Sequence, residues 1–327
     1  MEGCLLSGLK EYIRKFSNLN TDRGRHRWSA LTNHRAPHKP FLLLSVIDLF
    51  AQGEIKRNFI EPSFDLVSIF NGYWHTIMLP GSTTSMAYPF PRLKTDGFWK
   101  LIPNPGHENK IDMVFSSMVR LREVCAGARL DDNLFELLYR VDSRERLRAV
   151  LIETYFAPEI RSVVAEQGVV NLAAYEYGQK LLHGVRESVD WGEETPEEKR
   201  NKARDQGFRR TIVSLYEHRC ALCGIRMLTP EGHTIVEAAH IVPWRETKDD
   251  RPTNGLCLCR LCHWSFDEGL MCVGKEYEVL VSKRVKSDHN MPGHVLTLQD
   301  RPIFRPKEDV WWPSQNNLAQ HRKSVFK

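Results

Sequence analysis

The run Pro40-Phe41-Leu42-Leu43-Leu44-Ser45-Val46-Ile47-Asp48-Leu49-Phe50 puts apolar residues around most of a helix circumference. It predicts a helix buried on nearly every side, with Pro40 at its first position and Gly53 beyond its end. Met1 to Phe16 reads as an amphipathic helix. Residues 116–182 carry further helical patterns, such as Leu134–Tyr139 and Arg144–Ile152, with Asp131 and Ser143 as candidate caps. Between Met86 and Ile102, the Asp96-Gly97 step with its alternating apolar and basic flanks predicts a β-hairpin. Near the other end, Val236–Trp244 reads as a strand closed by Pro243, and Cys262–Gly269 as a short helix stopped at Gly269. Residues 183–194 lose apolar content. Thr195-Pro196-Glu197-Glu198 then looks like a capping box with proline at N1, opening a charged helix.

These elements predict an α+β chain. A mixed N-terminal domain with a helical extension spans residues 1–182, a linker 183–195, and a small C-terminal domain 196–327. The 327 residues, 42% of them hydrophobic, suffice for two cores. No apolar run approaches the ~18 residues of a membrane span, so a soluble protein kept inside the cell is expected. There is no internal repeat.

Four of the eight cysteines form two CxxC pairs, Cys220/Cys223 and Cys259/Cys262. Each pair sets two sulfurs on one tight turn, and together they can close a tetrahedral zinc site with no open position, hence a structural one. Cys4, Cys125, Cys257 and Cys272 are too scattered for a disulfide framework, as in a reducing cytoplasm. Around the pairs stand His240, Asn254 and His263, while Asp267 lies one helical turn beyond His263, on the same side. Neutral histidine is a base matched to neutral pH, and a divalent cation supplies charge at a phosphate. Each residue also has a plainer role open to it: a packed core histidine, an Asn-Gly turn, a solvated carboxylate.

Net charge is +5. From Arg23 to Ile47 there is no acidic residue, while Arg23, Arg25, Arg27, Arg35 and Lys39 are joined by His26, His34 and His38. Such a run attracts phosphate, or is a solvated loop. On the charged helix after residue 196, Lys199, Arg200, Lys202, Arg204, Arg209 and Arg210 are further candidate backbone contacts, set among Glu197, Glu198 and Asp205.

In order and context, His240, Asn254 and His263 with the two CxxC pairs resemble the HNH nuclease family, over about the last third of the chain. The resemblance implies a ββα-metal fold. His240 would activate water, Asn254 would orient the segment carrying it, and His263 would bind Mg2+, Mn2+ or a similar ion, with Asp267 as a second ligand. One departure is Ala239, where many members carry a metal ligand; Glu237 shares its strand parity. His34-Arg35-Ala36-Pro37-His38-Lys39-Pro40-Phe41 and Tyr88-Pro89-Phe90-Pro91-Arg92 resemble, over roughly residues 1–160, the sulfur-binding domain of type IV restriction endonucleases that cut phosphorothioate DNA. That resemblance implies a cavity walled by Tyr88 and Pro89 and DNA contacts from Arg27, His34, Arg35, His38 and Lys39, with His34-Arg35 and His38-Lys39 both fitting the basic pair. The expectation is a bacterial or archaeal cytoplasmic endonuclease acting on double-stranded DNA, its zinc structural and its second metal catalytic. A homodimer is compatible with this. The alternatives are an HNH enzyme reading a modified base or plain sequence, and a non-catalytic zinc-ribbon DNA-binding protein.

Overall fold

The structure, a computed structural model, describes residues 2–184, 196–287 and 293–327, with side chains from Gly8 onward except that of Ser287. Most of the expected linker, including Thr195, lies outside the described residues. The chain forms two compact units, residues 1–172 with 230–232, and residues 173–229 with 233–327.

The first unit is built around the predicted apolar helix. It contains α1 (Glu2–Ser17), α2 (His38–Ala51), α3 (Phe64–Ile77), α4 (Pro89–Arg92), β1 (Trp99–Pro103), α5 (Met118–Val124), β2 (Cys125–Leu130), α6 (Asp132–Tyr139), α7 (Val141–Tyr155) and the first part of α8 (Pro158–Leu182). Every residue of α2 from Lys39 to Phe50 is buried, and α3, α4, α6 and α7 pack around it. A helix apolar on all sides has no solvent face to offer, so the others must surround it. Its one acid, Asp48, is fully enclosed. It pairs with Arg148 Nη1 at 2.6 Å and accepts from Tyr73 Oη at 2.9 Å and Asn171 Nδ2 at 2.8 Å. Burial pushes this carboxyl up, and Arg148 with the two donors opposes that.

Three local expectations change. Helix α2 starts at His38, so His38 and Lys39 belong to its first turn and Pro40 sits inside it. Residues 89–96 are helical, not a hairpin: α4 runs into a 3-10 turn, Leu93–Asp96, closed by Gly97 at φ +76°. Pro89 and Pro91 fix helix-compatible φ angles, and β1 pairs instead with β2, Trp99 opposite Leu130. Ser143 lies within α7, whose N-cap is Arg140, while Asp131 is the N-cap residue of α6 as expected, with its carboxylate turned to Tyr12 and Lys15 rather than to the helix N–H groups.

The second unit contains the end of α8, α9 (Glu197–Leu215), β3 (Val236–His240), α10 (Trp244–Thr247), β4 (Gly255–Cys259), α11 (Arg260–Asp267), β5 (Met271–Val273), β6 (Val279–Val281), α12 (Lys283–Ser287), α13 (Gly293–Leu296) and α14 (Gln315–Ser324). Strands β3 and β4 are antiparallel, with Val236 opposite Cys259 and His240 opposite Gly255, and α11 follows β4 directly to pack on both. This is a ββα arrangement. Helix α9 covers the strands so closely that a Cβ on Gly255 would meet Ile212 Cδ1 at 2.4 Å. Gly255 has φ −119°, so close approach rather than a left-handed turn demands glycine here. Pro196 is the N-cap of α9 rather than its first residue.

Candidate active site and DNA-reading surface

In the first unit, the start of α2 brings the basic run to the tyrosine-proline loop. The His38 ring sits among aromatic rings, with centroids 5.3 Å from Trp28, 4.8 Å from Trp74 and 6.3 Å from Tyr88. Burial, with nearby Arg92, pushes the His38 imidazole down to about 4, so it is neutral at physiological pH. Pro89 is buried, while Tyr88 is 44% exposed and carries Arg92 over its ring. The result is an aromatic cluster that encloses a neutral imidazole and carries a guanidinium over its half-exposed tyrosine. Trp28, Trp74 and Arg92 were not among the expected residues. An indole in the last turn of an apolar helix reads as core in sequence, and Trp74 is indeed buried.

Lys39 does not reach outward. Its ammonium lies 2.6 Å from Asp96 Oδ2 and 3.1 Å from Thr95 Oγ1, and both members of the ion pair are buried. Lys39 therefore joins α2 to the turn that follows Tyr88-Pro89, instead of being a free cation. His34 takes a left-handed φ of 54°, and its Nδ1 lies 2.9 Å from the Trp28 carbonyl. Arg35 is partly exposed, 5.5 Å from the Tyr155 ring, and exposed Arg27 pairs with Asp22.

In the second unit the four cysteine Sγ atoms lie within 4.8 Å of one another, and Cys223 and Cys259 are 3.7 Å apart. A tetrahedron with metal–sulfur bonds of about 2.3 Å has edges of about 3.8 Å, so the quartet fits zinc. Cys125, Cys257 and Cys272 are buried free thiols.

A cleft of about 530 Å³ opens beside β3 and α11, lined among others by His240, Glu246, His263, Asp267 and His321. His240 ends β3. Its ring stacks on Phe208 at 4.0 Å and 5°, and its Nε2 lies 2.7 Å from Asp250 Oδ1. His263 has a carboxylate on each side, with Glu237 Oε2 3.5 Å from Nδ1 and Asp267 Oδ2 3.5 Å from Nε2. Burial raises the Asp267 carboxyl, opposed by His263. An imidazole nitrogen and a carboxylate oxygen at that separation fit two positions around one divalent cation. Ala239 is buried and offers no donor.

Asn254 is fully enclosed and every polar atom of its side chain is used. Its Nδ2 donates to the carbonyls of Val242 at 3.0 Å and Asp249 at 2.9 Å; its Oδ1 accepts from Val242 N at 3.0 Å and Asn317 Nδ2 at 2.9 Å. It staples the segment between β3 and β4 and does not line the cleft. Asp250 was missed by sequence reading, because an acid in a polar loop carries no signal until the fold places it under a histidine. Of the basic residues on α9, Arg204 turns inward, 3.6 Å from the Trp244 ring, with Lys248 equally close to that ring.

Residues 10–169 match the family described as the ScoMcrA-like DNA sulfur-binding domain, and residues 220–274 match the HNH endonuclease family. A solved structure described as a modification dependent TagI restriction endonuclease is similar over 36% of this chain, at 20% identity and a TM-score of 0.28. The alignment spans 37% of that protein's length. No curated protein matches the chain. No helix among the described residues is long and apolar enough to cross a membrane.

Proposed function

We propose that this chain, which joins a DNA sulfur-binding domain to an HNH domain, is an endonuclease that recognises phosphorothioate DNA and hydrolyses a phosphodiester bond in it. The observation that carries the reading is the cleft lined by His240 and by the His263–Asp267 pair on a ββα frame, in one chain with an aromatic cluster around His38 that carries Arg92 over Tyr88.

Phosphorothioate replaces a non-bridging oxygen by sulfur, which is larger and a poorer hydrogen-bond acceptor. A wall made of Tyr88, Pro89 and a neutral His38 leaves an ordinary phosphate oxygen poorly paired, at roughly 1–3 kcal/mol, a penalty that sulfur largely escapes. Arg35 and Arg92 hold the remaining charge, and His34 and Arg27 flank them. Affinity and discrimination thus come from different groups.

In the cleft, His240 takes a proton from water as the water oxygen bonds to phosphorus. The opposite P–O bond breaks, and the leaving oxygen ends as a hydroxyl with a proton from solvent. His263 Nε2 and Asp267 would hold a divalent ion, with Glu237 fixing the His263 ring through Nδ1. Such an ion would supply Lewis-acid stabilisation of the phosphate charge. Asn254 holds the loop in register, and the cysteine quartet with its zinc fastens the start of α11.

The test is nicking of plasmids with and without phosphorothioate, across a titration of Mg2+ or Mn2+. Wild type cuts only the modified plasmid; His240→Ala loses at least ~100-fold in rate while keeping DNA binding and zinc, and Asp267→Ala requires more metal. Cleavage by His240→Ala at the wild-type rate ends the assignment. Binding of modified DNA without any metal-dependent nicking favours the non-catalytic alternative, which rests on Ala239.

A further inference from the structure

For His240 to take a proton from water, one ring nitrogen must be bare while the other keeps its hydrogen. Whatever touches the second nitrogen selects the tautomer. Nε2 lies 2.7 Å from Asp250 Oδ1, and a carboxylate only accepts, so the hydrogen belongs on Nε2 and the lone pair on Nδ1.

Asp250 is built into this position. It is 5% exposed, and its other oxygen has partners of its own. Tyr177 Oη donates to Oδ2 at 2.6 Å, and Arg204 Nε lies 3.8 Å from the same atom. Arg204 is itself held against Trp244. The saturated Asn254 bonds the carbonyl of Asp249, immediately before Asp250, and both backbone groups of Val242, two residues after His240. It therefore locks the carboxylate segment and the histidine segment into one register, and Phe208 stops the ring from rolling.

We propose that Asp250 is the positioning residue of the cleft: it selects the Nε2–H tautomer of His240, leaves Nδ1 bare for the water proton, and lies beside the positive charge once that proton arrives. Tyr177 and Arg204 hold the carboxylate in place. This is the orienting logic of the carboxylate in hydrolytic triads, reached here with a nuclease base. It rests on His240 being the base.

The experiment uses the full-length protein with Asp250→Asn, Asp250→Glu and Tyr177→Phe. Asp250→Asn is expected to lower kcat about 100-fold or more, with KM for modified duplex and zinc content unchanged, because an asparagine amide donates to Nε2 and traps the proton on Nδ1. Asp250→Glu restores part of the rate, and Tyr177→Phe lowers kcat less. Nitrogen-15 NMR of labelled histidine reads the tautomer directly: Nε2–H in wild type, Nδ1–H in Asp250→Asn. Wild-type kcat in Asp250→Asn, or an Nδ1–H tautomer in the wild-type protein, overturns the proposal. The wild-type spectrum needs neither a folded variant nor cleavage, so it stands apart from the nuclease assignment, which the His240→Ala nicking test decides.

Discussion

Lys39 and Arg35 look alike in sequence, two cations in a run without acids, and the structure separates them. Arg35 is partly exposed, whereas Lys39 is buried against Asp96. Removing one partner of a buried ion pair costs about 3–5 kcal/mol. Lys39→Ala should therefore lower the melting temperature of the first unit, while Arg35→Ala should leave melting unchanged, weaken binding to modified and plain duplex alike, and flatten the dependence of log affinity on log salt. Equal melting of the two variants would reverse the assignment. The neutral state of His38 has a consequence of its own. Its folded value of about 4 lies below the unfolded 6.5, so the unfolded chain binds more protons between those limits. The stabilisation is full above pH 6.5 and is lost as pH falls toward 4, at about 1.4 kcal/mol per pKa unit, or about 3 kcal/mol in all. His38→Phe should remove that slope from thermal melts of the first unit taken between pH 7 and 5. Sequence made His38 a candidate DNA contact but could not tell its charge, because desolvation depends on rings that arrive from α3 and from the Tyr88 loop.

At the scale of elements, legibility followed the strength of the pattern. The buried α2 and the short α11 stop where the stop signals put them, before Gly53 and Gly269, though each begins two residues earlier than the pattern predicts. The hairpin at Asp96-Gly97 is not, because a turn signal says only that the chain bends; the partner of β1 is β2, beyond intervening turns and α5. The CxxC pairs were legible as a cluster since each is local, and the fold had only to bring two turns together. Their joining makes a prediction for the second unit. A structural zinc contributes folding free energy, on the scale of about 10 kcal/mol in small zinc domains. Cys262→Ser, or a strong chelator, should unfold β3, β4 and α11 together while the first unit still melts at its own temperature. Two separate calorimetric transitions with only one of them zinc-sensitive is the expected trace, and a zinc-insensitive second unit would dismiss the metal.

For the whole molecule, the two units share one uninterrupted helix. α8 runs from Pro158 to Leu182, while the boundary between the units falls at residue 172. Sequence patterns showed the helix but not that division, because the residues on either side obey the same periodicity. A fragment ending at 172 would cut the helix in mid-course, whereas one ending at 182 keeps it intact. Fragment 1–182 should bind phosphorothioate duplex more tightly than its oxygen twin, favour one phosphorus diastereomer, and lose the difference on Tyr88→Ala; equal affinity for both duplexes would dismiss the sulfur reading. Asn254 followed by Gly255 also sets how the molecule ages. In a loose chain, the glycine nitrogen after an asparagine attacks the side-chain amide carbonyl and expels ammonia, and water then opens the resulting cyclic imide to an acid. Here that nitrogen donates to the Pro252 carbonyl and the amide is held at every atom, so the fold itself protects a chemically fragile pair. Protein stored without its zinc should convert Asn254 to an acid, detectable by mass, and refilling the cysteine quartet afterwards would then return the shape of the nuclease without its activity.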